Sequence, residues 1–500
     1  MSDKILFYLD NDLKHFFLSH YLQKKIDAEF YAIIDITNNP KKFFEKQKFV
    51  DYKKSWFLHD NILPETEIDY DYLESIENKY NLELWKLAIN ERIFYKFNDF
   101  YKFSKIEILS IIEKECKLFE EVLDTVNPNY VILHEPFFHT DELFYKICKA
   151  KGIKILMSYI STFGYNHEIS QNSHITDDIQ NFNQTISKGR SFNQLEEKFN
   201  GNQVNAFIKK LNEVSFGNKM DLVKAGIHFL FKSKNTNVNT HYTYFGRTKI
   251  KVLKNTLESI LKTSIRKKYI DKNLIKNLNY EHNYIYFPLH IDQERTSLLE
   301  TPFYTDQITF IKNIAKSLPP KYTLFVKEHP TQSMRHWRNK NWYKEVMNIP
   351  NVVLIHPDVS SKKLIKNCSL VITLSGTAAL EAAFHQKASI TFIDADYTIL
   401  SSIKHVKSIE ELPKSIRDIL KIEVKLDELD RYVSVMNDAT FIFNEGDYHE
   451  KIVKKFYYGG RTVDVEIFNK DVEEFIIENE NIMSEFTNQH IKKIEYWKNN

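Results

Sequence analysis

The sequence predicts an α/β chain of two Rossmann-like domains facing across a cleft and closed by C-terminal helices. Three observations carry that expectation. Apolar runs alternate with helical stretches from Lys4 to Met157, the same rhythm restarts at Tyr284 after a polar interval, and three of the restarted strands end in polar residues. In an open parallel sheet, ligands sit outside the carboxyl ends of the strands.

The first domain opens with a buried strand at Lys4 to Leu9, a turn at Asp10-Asn11-Asp12, a helix to about Lys25 and a second strand at Ala28 to Ile34. A helical region from Tyr80 to Val126 stops at Asn127-Pro128-Asn129. The strand Tyr130 to Leu133 follows and leads into His134-Glu135-Pro136. A helix from about Asp141 to Lys151 is closed by Gly152, and a strand runs from Ile153 to Met157. From Ser161 to about Tyr244 the chain is rich in Asn, Ser, Gln and Lys with weak periodicity, which reads as an insertion.

Lys249 to Lys268 places Leu253, Leu257, Ile260, Leu261 and Ile265 on one face and seven Lys and Arg residues on or beside the other. Such a basic amphipathic helix suits an anionic membrane surface, and a solvated inter-domain helix has the same pattern. The second domain then supplies strands at Tyr284 to Phe287, Thr323 to Val326, Val352 to Ile355, Leu370 to Thr373 and Ser389 to Ile393, with a helix at Asp306 to Ser317. Helices at Leu412 to Lys421 and from Asp447 onward close the chain. The expected boundaries are 1–160, 161–280, 281–440 and 441–500.

A net charge of +2 excludes nucleic-acid binding by overall charge. Cys116, Cys148 and Cys368 are far apart and form no CxxC pair, so neither a disulfide framework nor a zinc ribbon is expected. The apolar run at Lys4 to Leu9 is too short for a signal peptide, and no later run approaches the ~18 apolar residues of a membrane span. The expected location is the cytoplasm, with peripheral attachment to the inner face of the cell membrane left to the basic helix.

Gly376 is the only glycine between Gly246 and Gly446. It lies in Ser375-Gly376-Thr377, where an apolar strand turns into a small-residue helix. Such a turn leaves unpaired N–H groups and hydroxyls at a helix start, which suits an anion, a phosphate by first choice. The strand Thr323 to Val326 leads into Lys327-Glu328-His329-Pro330, where the imidazole can donate to a phosphate or ribose oxygen and Lys327 or Arg335 adds charge. A third polar end, Pro288 to Arg295, carries His290 and Glu294.

These residues resemble a known family. Phe287-Pro288-Leu289-His290 with Gln293-Glu294, Asp306-Gln307, Val326 to Pro330, Asn351-Val352, and Ser375-Gly376-Thr377 with Glu381-Ala382 are similar in order and spacing to capsular polysaccharide biosynthesis glycosyltransferases, which include transferases of Kdo and related sugars. The resemblance covers about a quarter of the chain. It implies a GT-B glycosyltransferase of bacterial surface polysaccharide synthesis, with a CMP-linked donor held by His329 and Pro330 and by Ser375, Gly376 and Thr377, beside Lys327, Glu328 and Glu381. A glycan or lipid-linked glycan acceptor is implied with it. Where the family usually has Tyr-Gln-Pro-Glu after the Leu-His pair, this chain has Ile291-Asp292-Gln293-Glu294.

Transfer with inversion needs a base, which the first domain would supply. Glu135 is the leading candidate, then Asp141 and Asp10; His290 or Glu294 would act from the donor side in a retaining enzyme. Asp10-Asn11-Asp12 and Asp394-Ala395-Asp396 have metal-binding spacing, but strand-end turns explain them better, so a reaction without metal or other cofactor is expected. A CDP-polyol phosphotransferase, a UDP-sugar transferase and a non-catalytic membrane-docked scaffold are the rival readings; a nucleotide-sugar 2-epimerase shares the fold but would be expected to have an acidic, glycine-richer turn where this chain has Ser375-Gly376-Thr377-Ala378-Ala379.

Overall fold

The alternation of strands and helices resolves into two six-stranded sheets in a computed structural model that describes residues 2–65, 67–164, 166–199, 219–233, 236–457 and 464–499. The first sheet contains β1 (Asp3–Leu9), β2 (Ala28–Ile34), β3 (Tyr52–Phe57), β4 (Tyr130–His134), β5 (Lys154–Ile160) and β6 (His167–Ser170), in the order β3-β2-β1-β4-β5-β6. The second contains β7 (Tyr284–Pro288), β8 (Thr323–Lys327), β9 (Val352–Ile355), β10 (Leu370–Ile372), β11 (Ser389–Thr391) and β12 (Ile403–His405), in the order β12-β11-β10-β7-β8-β9. Read from the other edge, the two orders are the same. Only β6, antiparallel to β5, breaks the parallel pairing.

Helices on both faces make the central strands apolar from end to end, as in β1, where Ile5 through Leu9 are all buried. In each sheet the winding reverses between the first and fourth strands, β1 and β4 or β7 and β10, which opens a crevice at their carboxyl ends. The chain returns to the first domain through Phe441, whose N–H donates to the His167 carbonyl at 2.9 Å while the His167 N–H donates back at 2.8 Å. C-terminal helices Glu445–Phe456, Asn469–Glu478 and Glu480–Asn499 then cover the first domain, with Phe17 stacked on Phe475 at 4.6 Å.

Two elements depart from expectation. The long helical region expected from Tyr80 to Val126 is two helices, Leu84–Asn90 and Lys105–Val126, and a further helix, Tyr70–Tyr80, precedes them. Tyr70–Tyr80 stops at Asn81 in the left-handed region, and Lys105–Val126 starts at a capping box of Ser104 and Glu107. Part of the expected insertion is sheet: β6 lies there, while Phe182, Leu195 and Phe199 pack with Phe384 and Tyr432 of the second domain. Residues 165, 200–218 and 234–235 of that stretch lie outside the described residues.

A buried ionic knot in each domain fixes the turns that carry polar residues. In the first, His139 bridges Glu91 at 2.9 Å and Glu115 at 3.0 Å, and the Thr140 and Tyr242 hydroxyls donate to Glu115. Burial would discharge this imidazole, but Glu115 and Glu91 hold it charged, up to about 10. In the second, fully buried Glu328 accepts from Arg338, from the Tyr343 hydroxyl at 2.7 Å and from the His329 N–H at 2.6 Å.

Candidate active site

At the first crevice, β1 delivers Asp10 and β4 delivers His134. The His134 ring stands between two carboxylates, Nδ1 at 3.4 Å from Asp10 and Nε2 at 3.3 Å from Asp141. Asp141 is buried and accepts the Phe137 and Phe138 N–H groups at 3.0 and 3.1 Å, so His134 and these amides hold it ionised against the cost of burial. Burial would lower the His134 pKa, yet Asp141 and Asp10 raise it to about 9. Asp10 differs from Asp141: burial lifts its carboxyl to about 6 despite His134, and its side chain keeps 28% of its exposure. The cluster is therefore a positioned imidazolium with one locked carboxylate and one accessible carboxylate that titrates close to neutrality.

At the second crevice, the His290 Nε2 accepts the Leu374 N–H at 3.2 Å and lies 3.0 Å from the Thr373 hydroxyl. The N–H can only donate, so the His290 proton sits on Nδ1. The Gln307 amide accepts from the His290 N–H and donates to its carbonyl, both at 2.9 Å, and Arg338 donates to the same carbonyl. Asp292 receives Gln307 at 3.0 Å and pairs with Arg338 at 3.4 Å. The departure from the family sequence in this loop thus serves to hold His290. Burial lowers its pKa to about 4.

His329 caps the short turn Pro330–Arg335: its Nδ1 accepts from the Thr331 N–H at 3.3 Å and lies 2.7 Å from the Thr331 hydroxyl. The tautomer is again fixed, here with the proton on Nε2, which has no hydrogen-bond partner among the described residues. Burial, then His290, Lys327 and Arg338, press its pKa down to about 3. His329 is consequently a neutral N–H donor. Pro330, exposed at the first position of the turn, has no N–H to lose there.

Gly376 adopts φ 134°, a conformation that a side chain strains, while an added Cβ would find ordinary contact 3.8 Å from His290 Cε1. The torsion, not crowding, selects glycine. Thr377 donates to Glu381 at 2.7 Å, and burial raises the pKa of Glu381. Ser375 donates to Glu300 at 2.6 Å, which sequence reasoning did not find. Glu300 also accepts from Arg295 and pairs with His174 at 2.8 Å; against burial, Arg295 and His174 hold it well below the usual carboxylate range.

Arg295 reaches Glu135 of the first domain at 2.8 Å, so the leading candidate for the base is engaged in a bridge across the cleft. Glu328, expected at the donor, is enclosed in its buried knot. Lys327 is also buried, donates to Ser361 at 2.8 Å, and has its pKa lowered to about 8 by burial. The Glu294 carbonyl accepts from Ser297 and Leu298, while its carboxyl has no hydrogen bond among the described residues; burial lifts that carboxyl to about 7 against the pull of Arg335 and Arg92. Arg92 of the first domain donates to the Phe137 carbonyl beside Asp141, and the Arg295–Glu135 bridge joins the two crevices across one cleft. Asp394 and Asp396 do not form a pair: Asp394 is exposed beside Thr398, whereas Asp396 is buried against Tyr432 at 2.9 Å.

Sequence reasoning also missed His134, Arg295, Gln307 and Arg338 as parts of the site. The position of His134 at the end of a strand, one residue before Glu135, was the signal that could have found it.

Two facing Rossmann-like domains of one strand order, with polar strand ends opposed across the cleft, are the GT-B architecture. Residues 176–404, a little under half of the chain, match the family model described as Capsule polysaccharide biosynthesis protein. The match extends upstream of the recognised motifs. No curated protein matches. Among solved structures, a KpsC beta Kdo 2,7 transferase from Thermosulfurimonas dismutans is 10% identical, with 63% of this chain and 80% of that chain covered and a TM-score of 0.29. A putative UDP-N-acetylglucosamine 2-epimerase from Listeria monocytogenes is 12% identical over 91% and 95% of the two chains, with a TM-score of 0.23. A UDP-GlcNAc 2-epimerase from Neisseria meningitidis, bound to UDP-GlcNAc, is 12% identical over 90% and 98%, with a TM-score of 0.26. None of these likenesses is close enough to say what this chain binds.

Proposed function

We propose that the protein transfers a sugar from a CMP-linked donor, of the Kdo or sialic-acid kind, to a glycan of a bacterial capsule or lipopolysaccharide at the cytoplasmic face of the cell membrane. The observation that carries the reading is the His329 imidazole, held neutral with no hydrogen bond to Nε2–H among the described residues and set near His290, whose ring in turn lies against the Gly376 turn. A neutral donor suits the phosphate of a nucleoside monophosphate, which needs fewer cations or metal ions than a diphosphate.

Asp10 is the base in this reading. It takes the proton of the acceptor hydroxyl as that oxygen bonds to the anomeric carbon; the bond from that carbon to the phosphate oxygen breaks, and CMP leaves with the electron pair, stabilised by His329 and the N–H groups around Gly376. The configuration inverts. His134 holds Asp10 in place and favours its ionised form.

Calorimetric titration with CMP, CDP, UMP and UDP, with and without Mg, tests the donor. CMP binding that needs no metal and weakens at least about tenfold in His329→Ala is expected, the loss of one hydrogen bond to a charged group. Preference for UDP or CDP would move the donor class, and absence of any nucleotide binding would favour the scaffold.

A further inference from the structure

The helix Lys249–Asn273 is mounted with its amphipathic pattern reversed. Its polar face meets the protein: Asn255 donates to Asp99 of the first domain at 3.4 Å, Thr263 lies 2.8 Å from the His336 ring, and Arg266 donates to the His336 and Trp337 carbonyls at 3.1 and 2.7 Å. Its apolar face points outward. Ile250 is 80% exposed, Leu257 65%, Ile260 51%, Leu261 64% and Ile265 53%. A helix that only bridged two domains in water would show the opposite arrangement.

The helix Lys219–Phe231 adds to this face. Val223, Ile227, Leu230 and Phe231 are exposed at helical spacing, and Lys249 donates to the Leu230 carbonyl at 2.7 Å, which joins the two helices. Around the apolar stripe stand Lys251, Lys254, Lys262, Lys267 and Lys268, and across the whole helix Lys249–Asn273 eight Lys and Arg residues face only Glu258 and Asp271. No helix among the described residues is long and apolar enough to cross a membrane.

We propose that these two helices dock the protein on the surface of an anionic bilayer, the apolar stripe entering the boundary between headgroups and acyl chains and the lysines meeting lipid phosphates. The charge selects this occupant: an apolar face rimmed by one sign of charge fits an acidic interface. A second copy of the same basic face would repel it. Because the helix touches Asp99 in the first domain and His336 next to the His329 turn, docking sets the mouth of the cleft at the membrane, where a lipid-linked acceptor would enter. The inference rests on the proposed acceptor but is tested apart from it.

Flotation of the full chain with vesicles of phosphatidylcholine alone, or with about one third phosphatidylglycerol, is the experiment. Binding to the anionic vesicles at least about tenfold stronger than to the neutral ones, and reduced by high salt, is expected. Leu257→Ser with Leu261→Ser and Ile265→Ser should abolish flotation, and Lys251→Glu with Lys268→Glu should remove the lipid preference. The serine variant should keep wild-type CMP binding, since the altered side chains lie outside the donor site. Equal binding to both vesicles, none to either, or a dimer in light scattering that the serine variant dissolves would overturn the docking. CMP binding without flotation removes the docking alone, whereas flotation without nucleotide binding removes the function.

Discussion

The two domains share a strand order and differ in what they place at its point of reversal. At β1 and β4 the first domain sets two carboxylates around an imidazole that they hold charged, up to about 9. At β7, β8 and β10 the second sets two imidazoles that burial discharges, to about 4 and about 3. One scaffold thus supplies a proton acceptor on one side and neutral hydrogen-bond donors on the other. All three rings are buried, and the difference comes from neighbours: two carboxylates within 3.4 Å outweigh the burial of His134, whereas Glu300 does not outweigh it for His290, and His329 stands beside His290, Lys327 and Arg338.

Removing the proton acceptor breaks the comparison most severely. Asp10→Asn should lower kcat by roughly 10²–10⁴-fold with CMP affinity unchanged, measured by transfer assay and calorimetry. In the wild type kcat/KM should rise with pH through about 6 as Asp10 ionises, and that limb should vanish in the variant. An unchanged kcat would return the search to Glu294.

The knots behind the crevices give the next effect. His139→Ala leaves Glu91 and Glu115 buried without their cation, and Arg338→Met does the same to Glu328; each should cost about 3–5 kcal/mol in denaturant unfolding. The two should separate in binding. Arg338 also holds the His290 carbonyl and Asp292, so its loss should weaken CMP, while folded His139→Ala should bind CMP as the wild type does.

What could be read from sequence follows from how locally each feature is encoded. Central strands such as β1, β4 and β7 are continuous apolar runs and were legible. The three unforeseen strands, β3, β6 and β12, are all outer strands. β3 carries exposed Lys53 and Lys54, and β12 is three residues long, traits that protect an edge and erase the apolar signature. The His329 and Gly376 turns were legible because each is one short motif. The Glu135–Arg295–Glu300–Ser375 chain was not, since Glu135, the Arg295–Glu300 segment and Ser375 lie far apart in sequence and only folding brings them together. The helix Lys249–Asn273 was legible as amphipathic, but which face it turns outward was not.

The seam between the domains offers the smallest test, at Glu168 of β6. Its carboxyl is buried and makes no ion pair among the described residues, and burial followed by the nearby Asp396 lifts it to about 8. The folded state therefore keeps a proton that the unfolded chain releases near pH 4.5. The stability of this group is fully present below that pH and is lost as pH rises through about 8. Glu168→Gln, which stays neutral, should match the wild type or fall slightly below it at pH 4.5 and exceed it at pH 8.5 by roughly 1–3 kcal/mol, a shift of a few degrees in Tm. Asp396 lies on the second domain, so the gain should come with tighter contact across the seam, read as slower amide exchange in β6 at pH 8.5. A variant equally stable relative to wild type at both pH values would mean that Glu168 ionises freely and that the acidic pair does not set the pH response of the seam.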